Sequence, residues 1–185
     1  MKPDTGEQNK KDRRFDAKMK RAQRFIKDKT KGRRLIMEHL DPCRDDLILL
    51  TLKGHLIIED LLESILMREL DLEGLPQSHP LEFSQKLDLV KAVVITREPK
   101  PNADLFCAIG KLNNIRNALA HNLKDQLEIE GAVKSVIQSY QSKADLKLNL
   151  GMPVHMLLRN CIVKLCEFLD DVIVHFYKLD LPKYE

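Results

Sequence analysis

The chain has 185 residues, with 31 Lys/Arg against 28 Asp/Glu and a formal net charge of +3. That length suits a single domain whose core needs no disulfide or metal staple. Charges such as Glu59, Asp60, Lys164 and Asp170 interrupt the long apolar stretches, and the polar N-terminus lacks a signal-peptide core, so neither a membrane span nor a secretory leader is expected.

The small net charge hides an asymmetry. Residues 1–34 carry 14 Lys/Arg and 5 Asp/Glu, which leaves 17 basic and 23 acidic residues in the remainder. A basic arm (1–40) therefore precedes an acidic body (41–185). Arg13, Arg14, Lys18, Arg21 and Arg24 are candidate contacts to the phosphate backbone of a nucleic acid. The same composition also suits a solvated extension that only aids solubility.

Residues 12–30 have few breakers and can form a basic helix. Asp41-Pro42 marks a boundary. Asp45 or Asp46 can cap a long helix that runs to about Leu70. Residues 74–80 read as a loop, and Leu81 to about Thr96 as a shorter helix with Leu87, Val90 and Val94 at helical spacing. Pro99-Lys100-Pro101 breaks it. Asn102 can cap the next helix, which ends near His121. Ala132–Tyr140 looks helical. A polar linker over 141–151 leads to a long apolar helix from Met152 to about Lys178, with Pro153 tolerated in its first turn. No strand pattern or repeat stands out. The expected fold is all-α, an antiparallel bundle of four to five helices.

The four cysteines, Cys43, Cys107, Cys161 and Cys166, form no C-x-x-C pair and no zinc-type spacing with histidine. Cys161 and Cys166 lie in apolar helical sequence, where free cysteine packs as a small hydrophobe. A reducing cytoplasm fits, and no metal or cofactor is expected.

The chemistry concentrates in Leu112–His121, "LNNIRNALAH". At about 100° per residue, Leu105, Ala108, Ile109, Leu112, Ile115 and Leu119 form one apolar stripe, and Arg116 falls about 40° from Leu112, inside it. Asn114, Asn117 and His121 fall on the polar side. An arginine among core positions needs carboxylate partners or the rim of a site. Glu59 and Glu63, one turn apart on the long helix, share a stripe with Leu52, Leu56, Leu66 and Leu70 and are the expected partners. The bland reading of such a cluster is an ion pair that fixes helix register. Five residues of ideal helix turn about 140° beyond a full circle, so Arg116 and His121 face apart. They share a site only if the helix unwinds near His121 or if two chains bring their motifs together. A lone histidine here also reads as a surface or capping residue. His39, His55, His79, His155 and His175 show no comparable constellation.

An Arg and a His separated by four residues, with Asn117 after the Arg, closely resemble the signature of the HEPN superfamily. The order "HLIIEDLLESIL", "FSQKLDLVKAV", "LFCAIGKLNNIRNALAH" looks like its mannitol-operon-repressor-like and related branches, over about residues 46–123. The resemblance implies a mostly four-helix bundle, a homodimer with motifs lining a shared cleft, and metal-independent endoribonuclease activity. It further implies a role in toxin–antitoxin, phage-defence or stress systems, with an antitoxin protein as partner. Carried over, Arg116 and His121 are catalytic with Asn117 as the accompanying polar residue, and the helical positions make Glu59, Glu63 and Asn114 the supporting residues. The alternative is a non-catalytic HEPN-like regulator or RNA-binding module, because the repressor-like branch includes such members.

Overall fold

The computed structural model describes residues 30–43, 45–69, 81–97, 103–121, 126–141 and 151–179. The expected helix over 12–30 and the candidate RNA contacts Arg13, Arg14, Lys18, Arg21 and Arg24 lie outside these residues, as do the 74–80 loop and most of the 141–151 linker. The expected all-α fold is what forms: among the described residues there are six α-helices and no strand. No helix among them is long and apolar enough to cross a membrane.

The first helical segment is α1, Lys31–Leu35. It continues as a π-helical turn, Ile36–Leu40, and a 3₁₀ turn, Asp41–Cys43. Asp41-Pro42 is therefore not a break in the helical path. Proline brings no N–H and crowds the preceding turn. Here the turn before it is widened, and the Asp41 N–H donates to the Ile36 carbonyl. Ile36, Leu40 and Cys43 are buried in the core, so core packing begins at Ile36, ahead of the expected boundary at 40/41.

Next comes α2, Leu47–Glu69. The Asp46 carboxylate accepts the Leu49 N–H at 2.8 Å, the N-cap read from the sequence. Its core stripe is Leu50, Ile57, Ile58, Leu61, Leu62 and Ile65. Of the expected stripe, Leu66 is buried as well, but Leu56 is 57 % exposed, which corrects the stripe there. In a helix this apolar, two stripes look alike in sequence, and only the neighbouring helices choose between them.

Three further helices lead to the last one: α3 is Phe83–Arg97, α4 is Ala103–His121 and α5 is Gln126–Gln141, longer than the expected Ala132–Tyr140. The last is α6, Val154–Leu179. The Pro153 carbonyl accepts from Met156 and Leu157 N–H, so Pro153 stands just before the first turn rather than within it.

The central α2 packs against α1, α3, α4 and α6, and α5 covers α4 and α6. Gly54 meets Ile162, and Arg68 donates to the Ile173 carbonyl, so α2 and α6 run the same way. Phe106 packs edge-on against Phe168, and Asn113 reaches His55, so α4 runs back toward the start of α2. The motif thus ends beside the first turns of α2. Gly54 permits the close α2–α6 approach. A Cβ there would stand 2.5 Å from the Ile162 side chain, which is fully buried.

Polar contacts seat α1 on the bundle. Lys31 pairs with Asp60 at 2.7 Å and donates to Ser64 at 2.6 Å, and the Gly32 N–H donates to Asp170 on α6 at 3.2 Å. Burial pushes the Asp170 carboxyl up to about 6, aided by Asp171 and Glu167, although backbone N–H donors from Gly32 and Arg33 oppose it. The folded chain therefore holds this proton more tightly than the unfolded chain, whose carboxyl has the ordinary 3.8. Its contribution favours folding in acid and is lost as pH rises from about 4 to 6. Asp170→Asn should keep the oxygen acceptor and remove the titration. Its melting temperature should exceed wild type at pH 7, and the gap should close as pH falls to 4. A gap that is constant with pH would contradict this.

Candidate functional site

Arg116 and Asn117 sit on the last turns of α4. The helix is unbroken from Ala103 to His121, so no unwinding before His121 brings positions 116 and 121 onto one face. Ile109 and Leu112 are fully buried and Ile115 nearly so, as the wheel anticipates, whereas Arg116 is half-buried at the edge of that stripe. Its guanidinium donates to the Asn117 side-chain oxygen at 3.1 Å. Asn114 and Asn117 are exposed.

The expected Arg116–Glu59/Glu63 cluster is not formed. Both glutamates are taken by Lys86 of α3, at 3.0 Å and 2.9 Å. Lys86 is only 8 % exposed, yet its charge is kept. Burial alone would lower its pKa, but hydrogen bonds and charge from Glu63 and Glu59 outweigh that and hold it above the ordinary lysine value. The ammonium reaches both acids because α3 lies directly over this part of α2. Arg116 stands on α4, and its hydrogen bond is to Asn117 instead.

His55 was set aside in the sequence with the other histidines; the structure puts it at the centre. It is 3 % exposed and stacks on Phe83, with ring centroids 4.3 Å apart. Its Nε2–H donates to the Asn113 side-chain oxygen at 3.0 Å. Its Nδ1 is buried and has no hydrogen-bond partner among the described residues. Burial is the main cause that pushes the imidazole pKa below its ordinary 6.5; Arg116 also lowers it, against the Asn113 bond and Glu59. The folded state thus resists protonating His55, and this group costs stability as pH falls below 6.5. One sequence signal pointed here. Phe83 and Lys86 are the Phe and Lys of "FSQKL", and one holds His55 while the other holds Glu59 and Glu63.

The result is a polar seam through the α2–α3–α4 junction: His55, Glu59, Glu63, Lys86 and Asn113, with Arg116 and Asn117 at its outer edge. The cysteines are apart from it. Cys161 and Cys166 are fully buried, and burial pushes the Cys161 thiol up to about 12, so it is unreactive packing. The chain matches no protein-family model, no curated protein and no solved structure.

Proposed function

We propose that this protein is a metal-independent, HEPN-type endoribonuclease that works as a homodimer. The observation that carries this reading is the release of Arg116 from Glu59 and Glu63. With those acids held by Lys86, the guanidinium at the edge of the bundle keeps its charge for a phosphate. In the proposed reaction the RNA 2′-oxygen attacks the adjacent phosphorus and the P–O5′ bond breaks, leaving a 2′,3′-cyclic phosphate and a 5′-hydroxyl. His121 moves the proton from the 2′-hydroxyl to the departing 5′-oxygen, Arg116 stabilises the developing charge, and Asn117 orients Arg116.

The continuous helix supports the dimeric reading. Positions 116 and 121 diverge by about 140° within one chain, so Arg116 of one protomer acts with His121 of its partner. Ile48, Leu49 and Leu56 are exposed at the same end of α2 and supply apolar area for such an interface. The basic arm adds sequence-independent affinity for RNA. A cytoplasmic stress or defence effector held by an antitoxin protein fits this activity.

The divergence also favours a second reading, a non-catalytic RNA-binding regulator, if the chain is a monomer. The deciding experiment is incubation of purified protein with total RNA in EDTA. Cleavage is expected. RNA bound but left intact would support the second reading and contradict the first.

A further inference from the structure

His55, Asn113 and the Arg116–Asn117 pair make one path from the core to the bundle edge. The imidazole is gripped on three sides: Phe83 stacks on its face, α2 carries it, and Asn113 accepts from Nε2. Asn113 precedes Arg116 by three residues and Asn117 by four, so the three side chains share a face of α4. Arg116 is close enough to act on the imidazole electrostatically.

A carboxamide is an acceptor at one end and a double donor at the other, and a half-turn about its last bond exchanges them. At Asn113 the oxygen faces His55 Nε2 at 3.0 Å. An Nε2–H donor demands the oxygen, which leaves the NH₂ group for the outer side of the amide. Among the described residues the buried Nδ1 has no partner, which is consistent with this tautomer, since a proton there would be a buried donor with no acceptor among them. Among the described residues, Glu59 on α2 and Arg116 on α4 are the charged groups that act on the ring. Glu59 is committed to Lys86 and Arg116 to Asn117, so neither replaces Asn113 as the partner of Nε2.

We propose that His55 is the positioning residue of this site, locking Asn113 so that its NH₂ joins the Arg116 guanidinium in binding a phosphate of the RNA. This rests on the RNA-directed reading above and adds Asn113 as a phosphate ligand. His55 itself is too buried to touch substrate.

The test compares wild type with Asn113→Asp, His55→Leu and His55→Gln. The probe is a 2′-O-methyl oligoribonucleotide, which keeps the phosphates but lacks the attacking hydroxyl. Asn113→Asp still accepts from His55, so a merely structural role would tolerate it. Because it replaces the donor by an anion, it should weaken probe binding by roughly 10- to 100-fold. His55→Leu should weaken binding to a similar degree, and His55→Gln, whose amide can donate in place of Nε2, should recover most of it. If His55→Leu fails to fold, Asn113→Asp and His55→Gln decide. The imidazole ¹⁵N spectrum of wild type should show a neutral ring protonated at Nε2.

Wild-type affinity in Asn113→Asp, or a ring protonated at Nδ1, would overturn the proposal. Wild type that binds the probe but never cleaves natural RNA would end the ribonuclease reading and leave this one standing. Wild type that binds no probe at all would overturn both.

Discussion

Mixing Arg116→Ala chains with His121→Ala chains should restore cleavage that neither variant has alone. Each homodimer lacks one required group at both sites, and the loss should be on the order of 100- to 10,000-fold. In a mixed dimer, the His121→Ala chain supplies Arg116 and the Arg116→Ala chain supplies His121, which together make one whole site. Half the dimers in an equal mixture are mixed, and each has one of two sites intact, so the rate should reach about a quarter of wild type. Helix α4 is continuous through His121, which sets the two positions on different faces. If each site were built within one chain, the mixture would stay as inactive as its components.

The second large effect is on stability. Replacing Glu59 and Glu63 together by alanine should cost about 3 kcal/mol, because it leaves the buried Lys86 ammonium without a partner. For a chain of this size that is a fall of roughly 6–12 °C in melting temperature. Lys86→Met should cost less, about 1 kcal/mol, since it leaves carboxylates that are 29 % and 44 % exposed and can rehydrate. Arg116→Ala should also cost less than about 1 kcal/mol, because its hydrogen bond is to the exposed Asn117. The sequence alone would have put the 3 kcal/mol loss on Arg116. The order of these three variants, read by thermal melts, distinguishes the two pairings. An Arg116→Ala variant less stable than the double glutamate variant would restore the sequence-based cluster.

What was legible in the sequence was local. The Asp46 cap, the α4 stripe from Leu105 to Ile115 and the helical spacing of Val90 and Val94 all follow from 3.6-residue periodicity and capping chemistry. These place the motif on a bundle helix and fix which face of α4 is buried. The continuation of helix through Pro42 was not legible, because a π turn has no sequence signature as plain as Asp-Pro.

The partner of Glu59 and Glu63 was not legible either, for a different reason. Arg116 and Lys86 are both cations on neighbouring helices, and only the packing of α3 over α2 decides which one arrives. His55 was missed because one histidine on an apolar helix reads as an isolated residue. Its meaning comes from Phe83, 28 positions later, and Asn113, 58 positions later. The near-identical apolarity of both α2 faces also hid the core stripe. Leu56 and Leu61 are equally good core candidates by composition, yet one is exposed and the other fully buried.

The claim that matters most is that Arg116 and His121 cleave RNA without a metal. The most direct test is end-group analysis of RNA cut in EDTA by wild type and by His121→Ala, the two matched for helical content and melting temperature. The account predicts new ends carrying 2′,3′-cyclic phosphate from wild type and at least about 100-fold less cutting by the variant. New 3′-hydroxyl ends, or equal cutting by His121→Ala, would contradict it.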